Sequence, residues 1–450
     1  MTGGAQASTS GRSDAPQQAE FRVSERYRYY VVWLLFVVYV FNFVDRQILT
    51  ILIQPIKQEF GLSDAAIGAL TGFVFAALYS TLGIPIARLA DRRSRVNIIT
   101  ISLLAWSAFT ALTGFARTFW QLVIARAAVG VGEAGFNPAA YAVISDYFEP
   151  KRRSTALSIY SMGISGGVFV GFLVGSHVAQ AYGWRAAFYV VGLPGVILAA
   201  ILKLTLREPP RGFSDAVPVT QEPPPMAEVF RALWAKPAFR HMSFAAALHA
   251  FVGYGVGGFN PAFLMRTHGM SVVEVGNWLA PVAAFGGSTG TFLGGWLADR
   301  YSNKTGDARY QVLVPAISTL INVPIALLVY FLPDRNAVLF AMVPAAVVTA
   351  MYLGPTFALT QGLVGTRERA VASALLLFIM NFIGLGLGPL LTGNLSDLFK
   401  HHLTTTGLGE VAATAAGLRW AMRTMVCVNL WSAFHYLRAS RTLRADLVAS

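Results

Sequence analysis

Twelve apolar stretches, each near the length a tilted helix needs to cross a bilayer, leave this 450-residue chain few ways to fold. They run at roughly 30–54, 65–89, 96–115, 119–147, 154–180, 184–206, 241–266, 273–298, 310–332, 337–364, 370–396 and 418–438. Only 13% of the residues are charged and 55% are hydrophobic, where a soluble protein carries about 25% charged. A transmembrane barrel would show alternating ten-residue segments, and the chain has none. The expected fold is therefore all-α: a polytopic membrane protein of twelve transmembrane helices in two pseudo-symmetric six-helix bundles.

The basic residues set the expected orientation. Of 35 Lys and Arg, 25 fall in the tails, the centre of the chain and the alternate loops that share one side. The positive-inside rule puts both termini in the cytoplasm. The net charge of +13 then orients the chain and meets anionic lipid, which argues against a nucleic-acid partner. Residues 1–29 read as a disordered cytoplasmic tail, and no signal peptide precedes the first span. Residues 207–240, with Pro223, Pro224 and Pro225, read as a cytoplasmic linker. It joins an N-terminal bundle at 30–206 to a C-terminal one at 241–438, and 439–450 forms a cytoplasmic tail. The single cysteine, Cys427, allows no intrachain disulfide.

The two halves repeat each other. Leu89-Ala-Asp91-Arg92 ends span two and Leu297-Ala-Asp299-Arg300 ends span eight. Arg153 opens span five and Arg369 opens span eleven, and both spans are rich in glycine, which lets helices approach closely. Such repeats mark transporter folds with a site between the halves.

Span four carries the most informative run: Arg126-Ala-Ala-Val-Gly-Val-Gly-Glu133-Ala-Gly-Phe-Asn137-Pro138. Arg126 and Glu133 are two helical turns apart, so both point along one face. An ionisable group at membrane depth is costly unless it faces a cavity or a partner, so the pair marks a site in a solvated pathway rather than a packing contact. Span one adds Asp45 and Arg46 in Asn42-Phe-Val-Asp45-Arg46. Elsewhere no acid lies deep in an expected span. There is no phosphate cradle of the P-loop form, no Cys/His cluster with metal spacing and no Gly-x-Ser-x-Gly elbow. The expectation is a transporter that is not an enzyme and uses no cofactor or metal.

Ala87-Arg-Leu-Ala-Asp91-Arg92-Arg-Ser-Arg95 resembles the loop 2–3 motif of the major facilitator superfamily, and Gly295-Trp-Leu-Ala-Asp299-Arg300 resembles its second-half counterpart. Ala87 and Ser94 stand where that motif usually has glycine. Gly183-Trp-Arg-Ala-Ala-Phe188 is also common there. Asn42-Phe-Val-Asp45-Arg46, taken with Arg126 and Gly-Val-Gly-Glu133-Ala-Gly, is similar to the spinster family of lipid transporters. The 29 arginines against 6 lysines suggest a bacterial member, in the inner membrane. The resemblance implies alternating-access transport of a lipid-like anion of the sphingosine-1-phosphate or lysophospholipid type. It also implies proton coupling in some members; organic anions and drugs are the alternative cargo, and uncoupled lipid movement the alternative mechanism.

In that fold spans one, four, seven and ten line the cavity. Asp45 then lies ~22 Å up span one and Arg126 ~10 Å down span four, within about a turn of each other. Glu133 would lie two turns deeper. Asp45 and Glu133 are the expected proton carriers: desolvation favours the neutral carboxyl and a nearby arginine the charged one, so protonation can follow conformation. Arg46 and Arg126 are the expected partners of an anionic head group, with Arg266 a weaker third. Tyr254 and Phe259 of span seven and Asn381 of span eleven complete the expected binding surface. A charged N-terminal half would thus face an apolar, aromatic C-terminal half. Asp91, Arg92 and Asp146 sit at cytoplasmic span ends, and the resemblance implies that they latch that side in the outward-open state. One chain makes a whole pathway in this fold, so a monomer is expected.

Overall fold

A computed structural model describes residue 21 and residues 23–214, 225–365 and 368–447; the side chains of a few helical residues, Asp91 among them, also lie outside the description. Most of the expected N-terminal tail and the Pro-rich centre of the linker fall outside it.

The described chain is helical. Spans one to six are Glu25–Ile51, 64–92, Arg95–Thr113, 119–147, Pro150–Tyr182 and Trp184–Thr205. Spans seven to twelve are Pro237–His268, Val272–Thr305, Tyr310–Phe331, 335–362, 369–405 and Glu410–Asp446. Among the described residues nine helices are long and apolar enough to cross a membrane. The other three spans have visible reasons to fall short. Span four is broken into Phe119–Glu133 and Phe136–Tyr147. Span eight is diluted by glycine, serine and threonine, and span twelve contains Arg419 and Arg423.

Span one starts earlier than the apolar run suggests. Ser24 caps it by accepting from the Tyr27 amide (3.2 Å), and Glu25 suits the positive end of the helix dipole. The linker also contains a helix, Met226–Ala235, which the proline content hides. Val229 and Leu233, four residues apart, bury one face of it against Phe239, Leu359 and Tyr436.

Within each half, small residues set the packing. On span five Gly163, Gly167, Gly171 and Gly175 form one row, and a Cβ on any of them would press into span one at Tyr39, Phe43, Gln47 or Ile51. Large apolar side chains such as Trp120 (70% exposed), Phe292 and Phe340 point outward, as a lipid-facing belt requires.

The seam between the halves is tight at one end. A Cβ at Gly68 of span two would overlap the Pro389 backbone of span eleven, and one at Gly276 of span eight would overlap Ser176 of span five. Gly393 sits equally tightly against Asp64. All three lie away from the chain termini. On the termini side, a Cβ at Gly83 of span two has its nearest neighbour, 3.9 Å away, within its own half. The π-helical segments Ala69–Phe73 and Met380–Leu387 pack together across the seam. Such segments widen a helix locally and concentrate at functional sites.

Candidate functional site

A cavity of about 290 Å³ lies at mid-depth between the halves. Phe43, Arg46, Phe75 and Arg126 form its N-terminal wall, and Tyr254, Gly257 and Leu279 face them. Tyr254 is 42% exposed although it sits in the middle of span seven, because it looks into this space.

Arg46 does not stand free beside Asp45. Its Nε donates to Glu133 Oε2 (2.8 Å) and its Nη2 lies 2.7 Å from the same oxygen. Glu133, two turns along span four from Arg126, therefore meets span one at Arg46, a pairing the sequence does not show. Glu133 is fully buried, and its second oxygen has no partner among the described protein atoms. The break that follows it at Ala134 and Gly135 lets span four pass close to Ser102 and Ile98 of span three.

Asp45 turns the other way, as two adjacent helical residues about 100° apart must. It accepts from Thr110 Oγ1 of span three (3.1 Å). With Thr110, Thr113, Leu122 and Arg126 it surrounds a void of about 10 Å³, roughly the room for one water molecule. Arg126 reaches both spaces, since it lines this void and the central cavity. Its guanidinium lies 4.3 Å from the Phe75 ring centroid. No carboxylate comes within ion-pair distance of it among the described residues. Arg46 is also enclosed by rings, 4.9 Å from both Phe75 and Tyr79 and 5.2 Å from Phe43. The charges lie in the N-terminal half, and so do most of the rings. The C-terminal wall is uncharged, largely apolar and glycine-rich, with Tyr254 its one ring among the described residues, so it is less aromatic than expected.

The other candidates fall elsewhere. Arg266 is not on the cavity wall. It grips Asp64 of span two through Nη1–Oδ2 (2.7 Å) and Nη2–Oδ1 (2.9 Å), and donates to Gln54 (2.7 Å). Lys57 and Ser396 also donate to Asp64, and Asp397 accepts from the Asp64 and Ala65 amides. Asp64 was not expected as a functional residue; it lies just ahead of the second apolar run, outside any deep segment. Phe259 is fully buried in the core and Asn381 does not line the cavity, so neither forms the binding wall. At the termini end, Asp146 pairs with Arg95 and accepts from the Gly212 amide (2.9 Å). Arg92 is exposed, and the Asp91 side chain lies outside the described residues. Glu208, at the start of the linker, joins the same cluster through Arg95 (3.0 Å) and Ser94 (2.7 Å). Burial works to raise its pKa, but bonds from Ser94, Val96 and Arg95 prevail and hold it below the usual glutamate value.

The sequence profile of the Major Facilitator Superfamily matches residues 35–389. The chain belongs to the major facilitator superfamily. As a member it is a membrane transporter rather than an enzyme. It is similar to an MFS-type efflux pump of Mycolicibacterium smegmatis, 34% identical over 93% of this chain and 94% of that one. Protein spinster homolog 3 of Danio rerio is 27% identical over 88% of this chain and 82% of its own. Among solved structures, a bacterial homolog to the human lysosomal transporter Spinster, inward-facing and unoccupied, superposes with a TM-score of 0.86. It is 35% identical and covers 95% of this chain and 100% of its own. This superfamily member is thus spinster-like in both sequence and fold.

Proposed function

We propose that this transporter moves an amphiphilic, lipid-like anion of the sphingosine-1-phosphate or lysophospholipid type by alternating access, coupled to protons. The observation that carries the reading is Arg126: a buried guanidinium open to the central cavity with no carboxylate partner among the described residues. Arginine stays charged and binds phosphate or carboxylate in a bidentate way, so an anionic head group supplies the partner it lacks. The neighbouring rings and Leu279 give the apolar part of an amphiphile its surface.

Glu133 and Asp45 are the proposed proton carriers. A proton on Glu133 neutralises the carboxylate that holds Arg46 and releases a second guanidinium towards the cavity. Asp45 faces Arg126 across the small void, so its charge acts on the same head-group site from behind. With the basic side of the bundle in the cytoplasm of a bacterial inner membrane, the sealed end is periplasmic and the cavity opens inward. Membrane lipids surround the chain, which works as a monomer of two bundles joined by the linker; span twelve runs on to Asp446, through most of the tail expected at 439–450. Asp91, Arg92 and Asp146 would latch the cytoplasmic end when the periplasmic end opens.

The test is uptake of a labelled lysophospholipid or sphingosine-1-phosphate into proteoliposomes, with and without an imposed pH gradient. Saturable flux that responds to the gradient supports the proposal. Saturable flux indifferent to pH leaves an uncoupled facilitator, and no lipid flux turns the search to the second reading. That reading, export of an organic anion or drug, is favoured by the likeness to an efflux pump along nearly the full length of both chains.

A further inference from the structure

Span seven contains two kinds of glycine. At Gly255 a Cβ would overlap Thr392 and the Gly388 carbonyl, so close packing on span eleven requires glycine there. At Gly253 and Gly257 a Cβ would meet nothing within 4 Å. These two are four residues apart and share a helix face. Their missing side chains leave space rather than allow contact.

The space connects two cavities. Gly253 and Gly257 line the central cavity and also a chamber of about 320 Å³ inside the C-terminal half, and Asn260, Leu279 and Ala283 line both. The chamber lies among spans seven, eight, nine, ten and twelve. Its walls are mostly apolar, with Val256, Val329, Met342 and Val426 among them, and no Lys, Arg, Asp or Glu among the described residues lines it.

A few polar groups interrupt those walls, and most of them are engaged. His249 has Nε2 on the Thr349 carbonyl (2.8 Å) and Nδ1 on Thr319 Oγ1 (3.1 Å). Asn260 accepts from Tyr330 (2.8 Å), and Asn322 accepts from Thr349 (3.1 Å). Asn429 of span twelve differs. It lines the chamber, is 1% exposed, and neither its amide nitrogen nor its amide oxygen has a partner among the described protein atoms. A buried carboxamide offers one donor group and one acceptor and is costly to leave unpaired.

We propose that this chamber is a second substrate subsite. It takes the uncharged far part of the amphiphile whose anionic head sits at Arg126, and Asn429 selects a hydroxyl or amide group on that part. The inference rests on the head-group reading above and adds a demand of its own. Within that substrate class the preferred member carries a hydroxyl or amide on its chain, because a plain hydrocarbon chain fills the chamber but leaves Asn429 unsatisfied. A second charge is disfavoured as well, since nothing in the chamber would neutralise it. A hydroxyl both donates and accepts, which matches what Asn429 presents.

The experiment is equilibrium binding to the full-length protein in lipid nanodiscs. The probes are n-alkyl phosphates and ω-hydroxyalkyl phosphates of matched length, from eight to fourteen carbons, with methyl phosphate as the head group alone. The wild type is expected to bind the hydroxylated compound at least ~10-fold more tightly at some chain length, because sites built to bond a hydroxyl reject analogues that lack it. Asn429→Leu is expected to erase that gap. Gly257→Leu, which fills the doorway, is expected to weaken the long compounds relative to methyl phosphate, and it serves as the second variant if the first does not fold. Equal binding of each matched pair in the wild type would overturn the subsite while leaving the head-group reading in place. A gap that survives Asn429→Leu would overturn the assignment to Asn429. Failure of every phosphate to bind would overturn both.

Discussion

Arg266 on span seven holds Asp64 on span two through two hydrogen bonds, of 2.7 and 2.9 Å, across the seam between the halves. Both side chains are nearly fully buried, at 5% and 2% exposed. Opening this end means separating them. Arg266→Ala removes both of these bonds across the seam while Lys57 still compensates Asp64 from within its own half, so the population shifts towards the state open at this end. A cysteine introduced at Thr50, which lines the cavity, in a Cys427→Ser background reads the change: labelling from this side should rise well above that of the parent.

Gly68 tests the same seam sterically. Leucine there would collide with the Pro389 backbone, which cannot yield as a flexible side-chain end can. Gly68→Leu should hold the end apart and abolish net transport while the protein still folds. The measurement is flux in proteoliposomes beside the thermal unfolding curve of the same sample.

Much of this architecture was readable from the sequence, for physical reasons. Spans announce themselves because lipid demands some twenty apolar residues each, and charges at that depth stand out against them. Rotation is harder. Counting 1.5 Å per residue sets the depth of Glu133 but not which way its side chain turns, and the break after it at Ala134 adds to that uncertainty. Arg46 lines the cavity, but its pairing with a carboxylate 87 positions away leaves no sign in the sequence. Arg266 was misplaced because its partner Asp64 sits in a short polar segment that gives no sign of burial. The chamber at Asn429 left no sequence signal, since a lone asparagine in a span reads as ordinary helix packing.

Arg126 should decide affinity for anions. Hydrogen bonds to charged groups contribute about 1.5–3 kcal/mol, so Arg126→Ala should weaken an alkyl phosphate roughly 10- to 150-fold. Arg126→Lys keeps the charge but loses the fork, and should recover only part of the loss. Binding titrations in nanodiscs check both. Equal affinity in all three proteins would remove Arg126 from the head-group site.

Glu208 gives a pH signature outside the membrane. Its pKa is lower in the folded protein than the unperturbed value of 4.5. Its contribution is therefore complete above that value and is lost as pH falls through the lower folded one. Thermal unfolding of wild type and Glu208→Gln should differ at pH 7, and the difference should shrink steadily below about pH 4.5.

The pairing of Arg46 with Glu133 is the centre of the account, and substrate-driven proton movement tests it most directly. Proteoliposomes carrying an entrapped pH dye would receive a lysophospholipid with no imposed gradient. The account predicts a saturable change in internal pH for the wild type and none for Glu133→Gln, with Asp45→Asn also impaired. A wild-type-sized pH response in Glu133→Gln would contradict it.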